Sequence, residues 1–231
     1  MPEDLYRKPG AVLLSGINTL RPAQVYIMGL NPGGDPATIP APLIDFIAPP
    51  NGTSAYTHEC WQPRCEEQQP CSHLSANGLT RVDCLVRHQR NMVALAATLG
   101  ETPATLFSAN AVFARSTSKA TLKAQTGFGM WEWWNACWPI HQHFLSIVRP
   151  RLIITLGYGE SSSAFGLLRA QANSPTPTQF VDEGRRGGWC FEAKLPTADG
   201  VLQTSVVGVP HPSYFAPGPK LSQRLAEFVR A

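Results

Sequence analysis

The chain has 231 residues, a net charge of +3, 43% hydrophobic residues and only 15% charged ones. That is enough apolar material for a sizeable core and too much for a disordered chain, and the length suits a single domain over residues 1–231. No apolar run approaches a membrane span and Met1-Pro2-Glu3-Asp4 lacks the regions of a secretion signal, so a membrane protein, a coiled coil and collagen are excluded and a monomeric, cytoplasmic globule is expected.

The first short apolar run is Val25–Leu30, followed by a long loop rich in Pro, Gly, Cys and Gln over Asn31–Thr80. Arg81–Leu99 has apolar residues at helical spacing, with Gly100 as its stop. Leu106–Ala114 is the second apolar run. Trp131–Val148 predicts a largely buried helix, with Trp131, Trp134 and Trp138 on one face, Trp133, Cys137 and Phe144 on the next, and Pro139 kinking or restarting it. Leu152–Leu156 is the third run. Glu160–Arg169 predicts a helix, and Gln171–Gly187 a second long loop. Gly188–Leu195 reads as an additional strand, joined by the Ala198-Asp199-Gly200 turn to the fourth run, Thr204–Val209. Lys220–Arg230 closes the chain as a helix with Leu221, Leu225, Phe228 and Val229 inward. Unalternating apolar runs separated by helices predict an α/β fold of three αβα layers around a mainly parallel four-stranded sheet.

Open parallel sheets bind ligands beyond the carboxyl ends of their strands. Gly29-Leu30-Asn31-Pro32-Gly33-Gly34-Asp35 leaves the first run, and Asn110 and Arg115-Ser116-Thr117-Ser118 leave the second. Gly157-Tyr158-Gly159-Glu160-Ser161-Ser162 leaves the third, and Pro210-His211-Pro212-Ser213 the fourth. All four exits carry turn-forming or hydrogen-bonding groups, which marks this edge as the site. Charge is uneven as well: residues 1–100 carry −1 and residues 101–231 carry +4, which permits a nucleic-acid partner without demanding one.

GLNPG at 29–33, SANAVFARS at 108–116, RPRLIITLG at 149–157 and VPHPS at 209–213 resemble the motifs of the uracil-DNA glycosylase superfamily, in the right order over residues 24–215. The Asn of GLNPG is closest to the mismatch-specific and single-strand-selective branches. The resemblance implies a four-strand parallel core and hydrolysis of an N-glycosidic bond in DNA that holds a damaged or deaminated base, leaving an abasic site. By the same resemblance Asn31 places or polarises the attacking water. Asn110 reads the uracil edge, and His211 donates to uracil O2 as negative charge grows there. Gly29, Pro32 and Gly33 count with Asn110 as base-binding positions. No metal, covalent nucleophile or other cofactor is required.

Residue chemistry agrees with these roles. An Asn amide presents one acceptor and a donor group, matching N3–H and O4 of uracil, whereas cytosine would need the amide turned over. Donors aimed at charge that develops on the leaving base stabilise the transition state more than the ground state. The base must leave the stack to be reached, so an aromatic platform is expected, with Phe46 first and Tyr56 second. Tyr214 and Phe215 are candidate wedges between bases. Ser161, Ser162 and Ser213 are candidate phosphate contacts, the first two at a helix start.

Plainer readings stand beside each. Asn31 before Pro is ordinary turn chemistry, Asn110 could be a satisfied core amide, and His211 a stiffly held loop histidine. The Trp-rich helix is core, and His141 and His143 point apart on it. Cys60, Cys65, Cys71 and Cys84 fall near His58, His73 and His88, which could hold zinc, but no CxxC pair is present. Two further functions follow: a non-catalytic nucleic-acid or nucleotide-binding protein of the same fold, and an interaction module supported by zinc at 58–88. A Ser-hydrolase elbow and a phosphate-binding loop are absent.

Overall fold

The computed structural model describes residues 3–61, 79, 84–159, 163–172 and 176–230. In chain order the elements are α1 (Glu3–Tyr6), β1 (Val25–Gly29), α2 (Ala55–His58), α3 (Arg87–Thr98), β2 (Phe107–Asn110), α4 (Leu122–Thr126), α5 (Met130–Val148), β3 (Leu152–Leu156), α6 (Ala164–Gln171), β4 (Thr178–Val181), β5 (Gly188–Thr197), β6 (Gly200–Val209) and α7 (Pro219–Arg230). The sheet has six strands in the order β2-β1-β3-β6-β5-β4. The first four are mutually parallel, and β5 and β4 join antiparallel.

The α/β class and the parallel quartet agree with the sequence pattern; the total of four strands is corrected to six. β5 pairs with β6 along its whole length, from Trp189 opposite Gly208 to Thr197 opposite Gly200. β4 lies inside the segment read as a loop. It has four residues, the first two polar and exposed, so its apolar part is only the pair Phe180-Val181, too short a run by which to find it.

Every residue of β1 and β3 is buried, because helices cover both faces. Tyr26 and Met28 of β1 face one core with the buried side chains of α5 and α6. Val25 and Ile27 face the other with Met92, Leu95 and Ala96 of α3 and Leu221 and Leu225 of α7. This alternation is the period-two rule applied to a strand sandwiched between two helical layers.

Three sequence expectations shift in detail. The second apolar run is a strand only to Asn110, because beyond it the chain turns away: Ala111 N–H donates to Gly29 O and Ala114 pairs instead with Gly10. The Trp-rich helix runs unbroken through Pro139. Trp131 is exposed on its first turn, while Trp133, Trp134 and Trp138 are buried. Gly100, at φ 75°, ends the α3 region as expected. No described helix is long and apolar enough to cross a membrane.

Candidate functional site

Strand register brings the exits to one level. Gly29 lies opposite Asn110, Met28 opposite Thr155, and Leu156 opposite Val209, so the last residues of β2, β1, β3 and β6 form one rung. Asn110 stands at one end of that rung, Asn31 two residues beyond β1, and His211 two residues beyond β6. Between them Gly157, at φ 99°, leaves the β3 exit without a side chain; a Cβ there would lie 3.8 Å from His211 Cδ2.

Asn31 is half-buried, and its orientation is fixed by what its nitrogen touches. Nδ2 donates to the Pro32 carbonyl (3.0 Å) and to Ser116 Oγ (2.9 Å). A carbonyl only accepts, so the atom facing it is the nitrogen. Ser116 Oγ in turn donates to the Ser118 carbonyl at 2.9 Å, which leaves its lone pair for Asn31. Both Asn31 N–H groups are thus committed, and Oδ1 is the atom left for a ligand. The neighbouring backbone is tied to the same segment: Ser116 N–H donates to Pro32 O at 3.2 Å, and the Arg115 guanidinium donates to Gly33 O.

Asn110 is 3% exposed. Its Oδ1 lies over the Gly29 α-carbon, where an added Cβ would come within 2.5 Å. This close approach is what requires glycine at 29. Asn110 Nδ2 is buried with no partner within the protein, a state that costs about 1–3 kcal/mol. The chain just after it is braced from below. His141 Nε2 donates to the Ala111 carbonyl (3.0 Å), and the Tyr26 hydroxyl pairs with His141 Nδ1 (2.9 Å). Complete burial lowers the His141 pKa to about 4, so the ring is the neutral Nε2–H tautomer and Tyr26 donates to it.

His211 accepts the Ser213 backbone N–H at Nδ1 (3.2 Å), so a neutral ring carries its proton on Nε2. Burial holds its pKa below the usual value, favouring that neutral form. α3 supports this turn. Asn91 Nδ2 donates to Pro212 O (2.6 Å), and His88 Nδ1 pairs with Ser213 Oγ (3.1 Å). The His88 ring meets His211 edge-on at 5.4 Å and stacks on Tyr56 at 5.8 Å. Burial, and secondarily His211, lowers the His88 pKa to about 4. On the solvent side Tyr214 is 69% exposed, with its ring 5.9 Å from His211.

The structure therefore brings Asn31, Asn110, His211, Gly29, Pro32 and Ser213 to one edge, with Tyr214 and half-buried Phe215 following in the same turn. Phe46 follows a short 3-10 turn and is half-buried, but the ring contacts near His211 come from Tyr56, Trp61, His88 and Tyr214 instead. Tyr56 is fully packed beneath His88, so it is a support and not an open platform. Gly33 is exposed. The Ser213 hydroxyl faces His88. Ser161, Ser162, Cys65, Cys71 and His73 lie outside the described residues. The cap of α6 is Ser163, whose hydroxyl accepts from Gly166 N–H. Cys60 and Cys84 are half-buried, and among the described residues no group of three or more His, Cys, Asp and Glu is gathered as for a metal. His141 is core and His143 exposed, so they do point apart.

Two cavities lie elsewhere. One, of about 430 Å³, is bordered by Ile17, Ile44 and Pro49, and the other, of about 280 Å³, by Tyr6, Leu43 and Phe144; neither includes Asn31, Asn110 or His211. The sequence marked Ser116 only as a polar group at a strand exit, His88 only beside a possible zinc site and His141 only as core, and gave no sign of Asn91. Ser116 stands inside the SANAVFARS motif and was open to notice. The α3 pair carries no motif, and its part is visible only when α3 is packed on the Pro212 turn. Compared with known proteins, the chain matches no family model, and no curated protein aligns with it significantly.

Proposed function

We propose that this protein is a monofunctional DNA glycosylase that hydrolyses the N-glycosidic bond of uracil or a related damaged base. The observation that carries this reading is the set of atoms left uncommitted along one rung: an acceptor at Asn31 Oδ1, a buried amide at Asn110, and a donor at His211 Nε2. β2 and β6 are three strand spacings apart, about 14 Å. Two side chains, two hydrogen bonds of about 2.9 Å each and a single-ring base span that distance.

In this mechanism the flipped base presents N3–H and O4 to Asn110 and O2 to His211. Asn31 Oδ1 accepts a hydrogen bond from water and turns the water oxygen toward C1′. As the C1′–N1 bond breaks, its electron pair stays on the base and the sugar gains oxocarbenium character. The His211 N–H meets the charge growing on O2. Water oxygen then bonds to C1′, and its proton passes to solvent or to the departed base anion. Neutral His211 suits this role: it supplies a hydrogen bond and does not have to give up its proton. Tyr214 fills the gap left by the flipped nucleotide in this reading, which its exposure beside His211 supports.

The test is a base-release screen with the full chain over uracil, hypoxanthine, xanthine and mismatched thymine, in single- and double-stranded DNA. Alkali-labile sites are the expected product. A second reading has its own support: Asn110 is closed off and neither cavity includes it, as suits a nucleic-acid or nucleotide-binding protein that does no cleavage. That reading predicts DNA affinity without base release.

A further inference from the structure

We propose that α3 is a clamp that sets the catalytic imidazole, with His88 as its positioning residue; this rests on the reading of His211 given above. His88 and Asn91 lie three residues apart, on one face of the helix. Asn91 holds the Pro212 carbonyl and His88 holds the Ser213 hydroxyl. Ser213 thereby joins two imidazoles, its hydroxyl bonded to His88 Nδ1 and its backbone N–H to His211 Nδ1. Fixing Ser213 fixes the donor that dictates the tautomer of His211, and so directs Nε2–H outward.

Packing closes the other side. The His88 ring stands edge-on to His211 at 84° and lies flat on buried Tyr56 at 10°, with Trp61 edge-on at 5.5 Å. His211 therefore cannot swing toward α3. His88 Nε2 is buried without a partner in the protein. An apolar ring would fill the same space without burying an unbonded nitrogen, so what the imidazole adds is the Nδ1 bond to Ser213. His88 touches no reacting atom in this account; it acts through Ser213 on His211.

The experiment compares the full-length wild type with His88→Phe, His88→Asn, Ser213→Ala and the double variant His88→Phe/Ser213→Ala. Two readouts are taken: kcat and KM for uracil release, and the His211 tautomer from nitrogen-15 chemical shifts. His88→Phe keeps the ring and loses Nδ1; His88→Asn sets an amide where Nδ1 stood. His88→Phe is expected to lower kcat on the order of tenfold to a hundredfold, with KM within about twofold, and to mix the His211 tautomers. His88→Asn is expected to restore kcat to within about threefold of wild type and to keep the Nε2–H form. Ser213→Ala should match His88→Phe, and the double variant should be no worse than either. Wild-type kcat and tautomer in His88→Phe overturn the clamp, as does an equal loss in His88→Asn. If no variant and no wild type releases a base, the glycosylase reading falls and the tautomer decides the clamp alone. Mixed tautomers in His88→Phe but not in His88→Asn support it; unchanged tautomers in both reject it.

Discussion

Substituting Gly29→Ala probes the packing that holds Asn110. The added methyl would sit 2.5 Å from Asn110 Oδ1, roughly 1 Å inside ordinary contact. Asn110 is 3% exposed, so its amide can yield only by leaving its rotamer or pushing its neighbours. Off-rotamer strain costs about 0.5–1.5 kcal/mol and overpacking about 1–3 kcal/mol, so Gly29→Ala should lower stability by about 1–3 kcal/mol. In an Asn110→Ala background the opposing oxygen is gone, and the same substitution should cost under about 0.5 kcal/mol. Urea melts of the four proteins form a double-mutant cycle, with a coupling of about 0.5–3 kcal/mol and unchanged m-values expected. Uracil release by Gly29→Ala should fall at least as far as its stability does, since the reading amide has moved. Additive stabilities, or a Gly29→Ala protein as stable and active as wild type, would refute the packing argument.

Acid should destabilise the fold through His141, which is fully buried, and His88, whose ring is largely shielded from water. His88 and His141 have folded pKa values of about 4 against 6.5 unfolded, so the unfolded chain binds protons that the folded one refuses. Their stability is complete above pH 6.5 and is lost as pH falls toward 4, by about 3 kcal/mol for each ring. Melts across that range should show a slope of about 2 kcal/mol per pH unit at its steepest, roughly halved in His141→Phe. Ser116→Ala should free the Asn31 amide to turn over. It is expected to lower kcat on the order of tenfold with KM nearly unchanged, and to add little to Asn31→Ala in a rate measurement on both single variants and the pair.

Much of the frame was legible because it rests on local pattern. Val25–Gly29 and Leu152–Leu156 are buried on both faces and read as unbroken apolar runs, which is the mark of a parallel interior strand. The β5–β6 hairpin announced itself through a turn at 198–200. β4 did not, since a short edge strand buries only Phe180 and Val181 in part and so carries too short an apolar run to stand out. The stretch from Pro9 to Ser15 was also silent. It makes isolated bridges to Pro42, Ala114, Ala109 and Ser54, contacts set by distant parts of the chain. The candidate site divides in the same way. Asn31, Asn110 and His211 were visible because strand ends are where such groups collect. Of the groups that orient them, Ser116 shows in the sequence as a polar strand-exit residue, whereas the parts of His88 and His141 do not, because they act through hydrogen bonds that exist only once α3 and α5 are packed.

The central claim is that Asn31, Asn110 and His211 act together on one base. It is tested most directly by single-turnover release of uracil from a labelled oligonucleotide, with DNA affinity measured in parallel, for wild type, Asn31→Ala and His211→Ala. Each variant is expected to slow release by about a hundredfold or more while affinity for the same DNA changes little. Release that is unaltered in both variants, or absent from the wild type on every damaged base tried, would contradict the account.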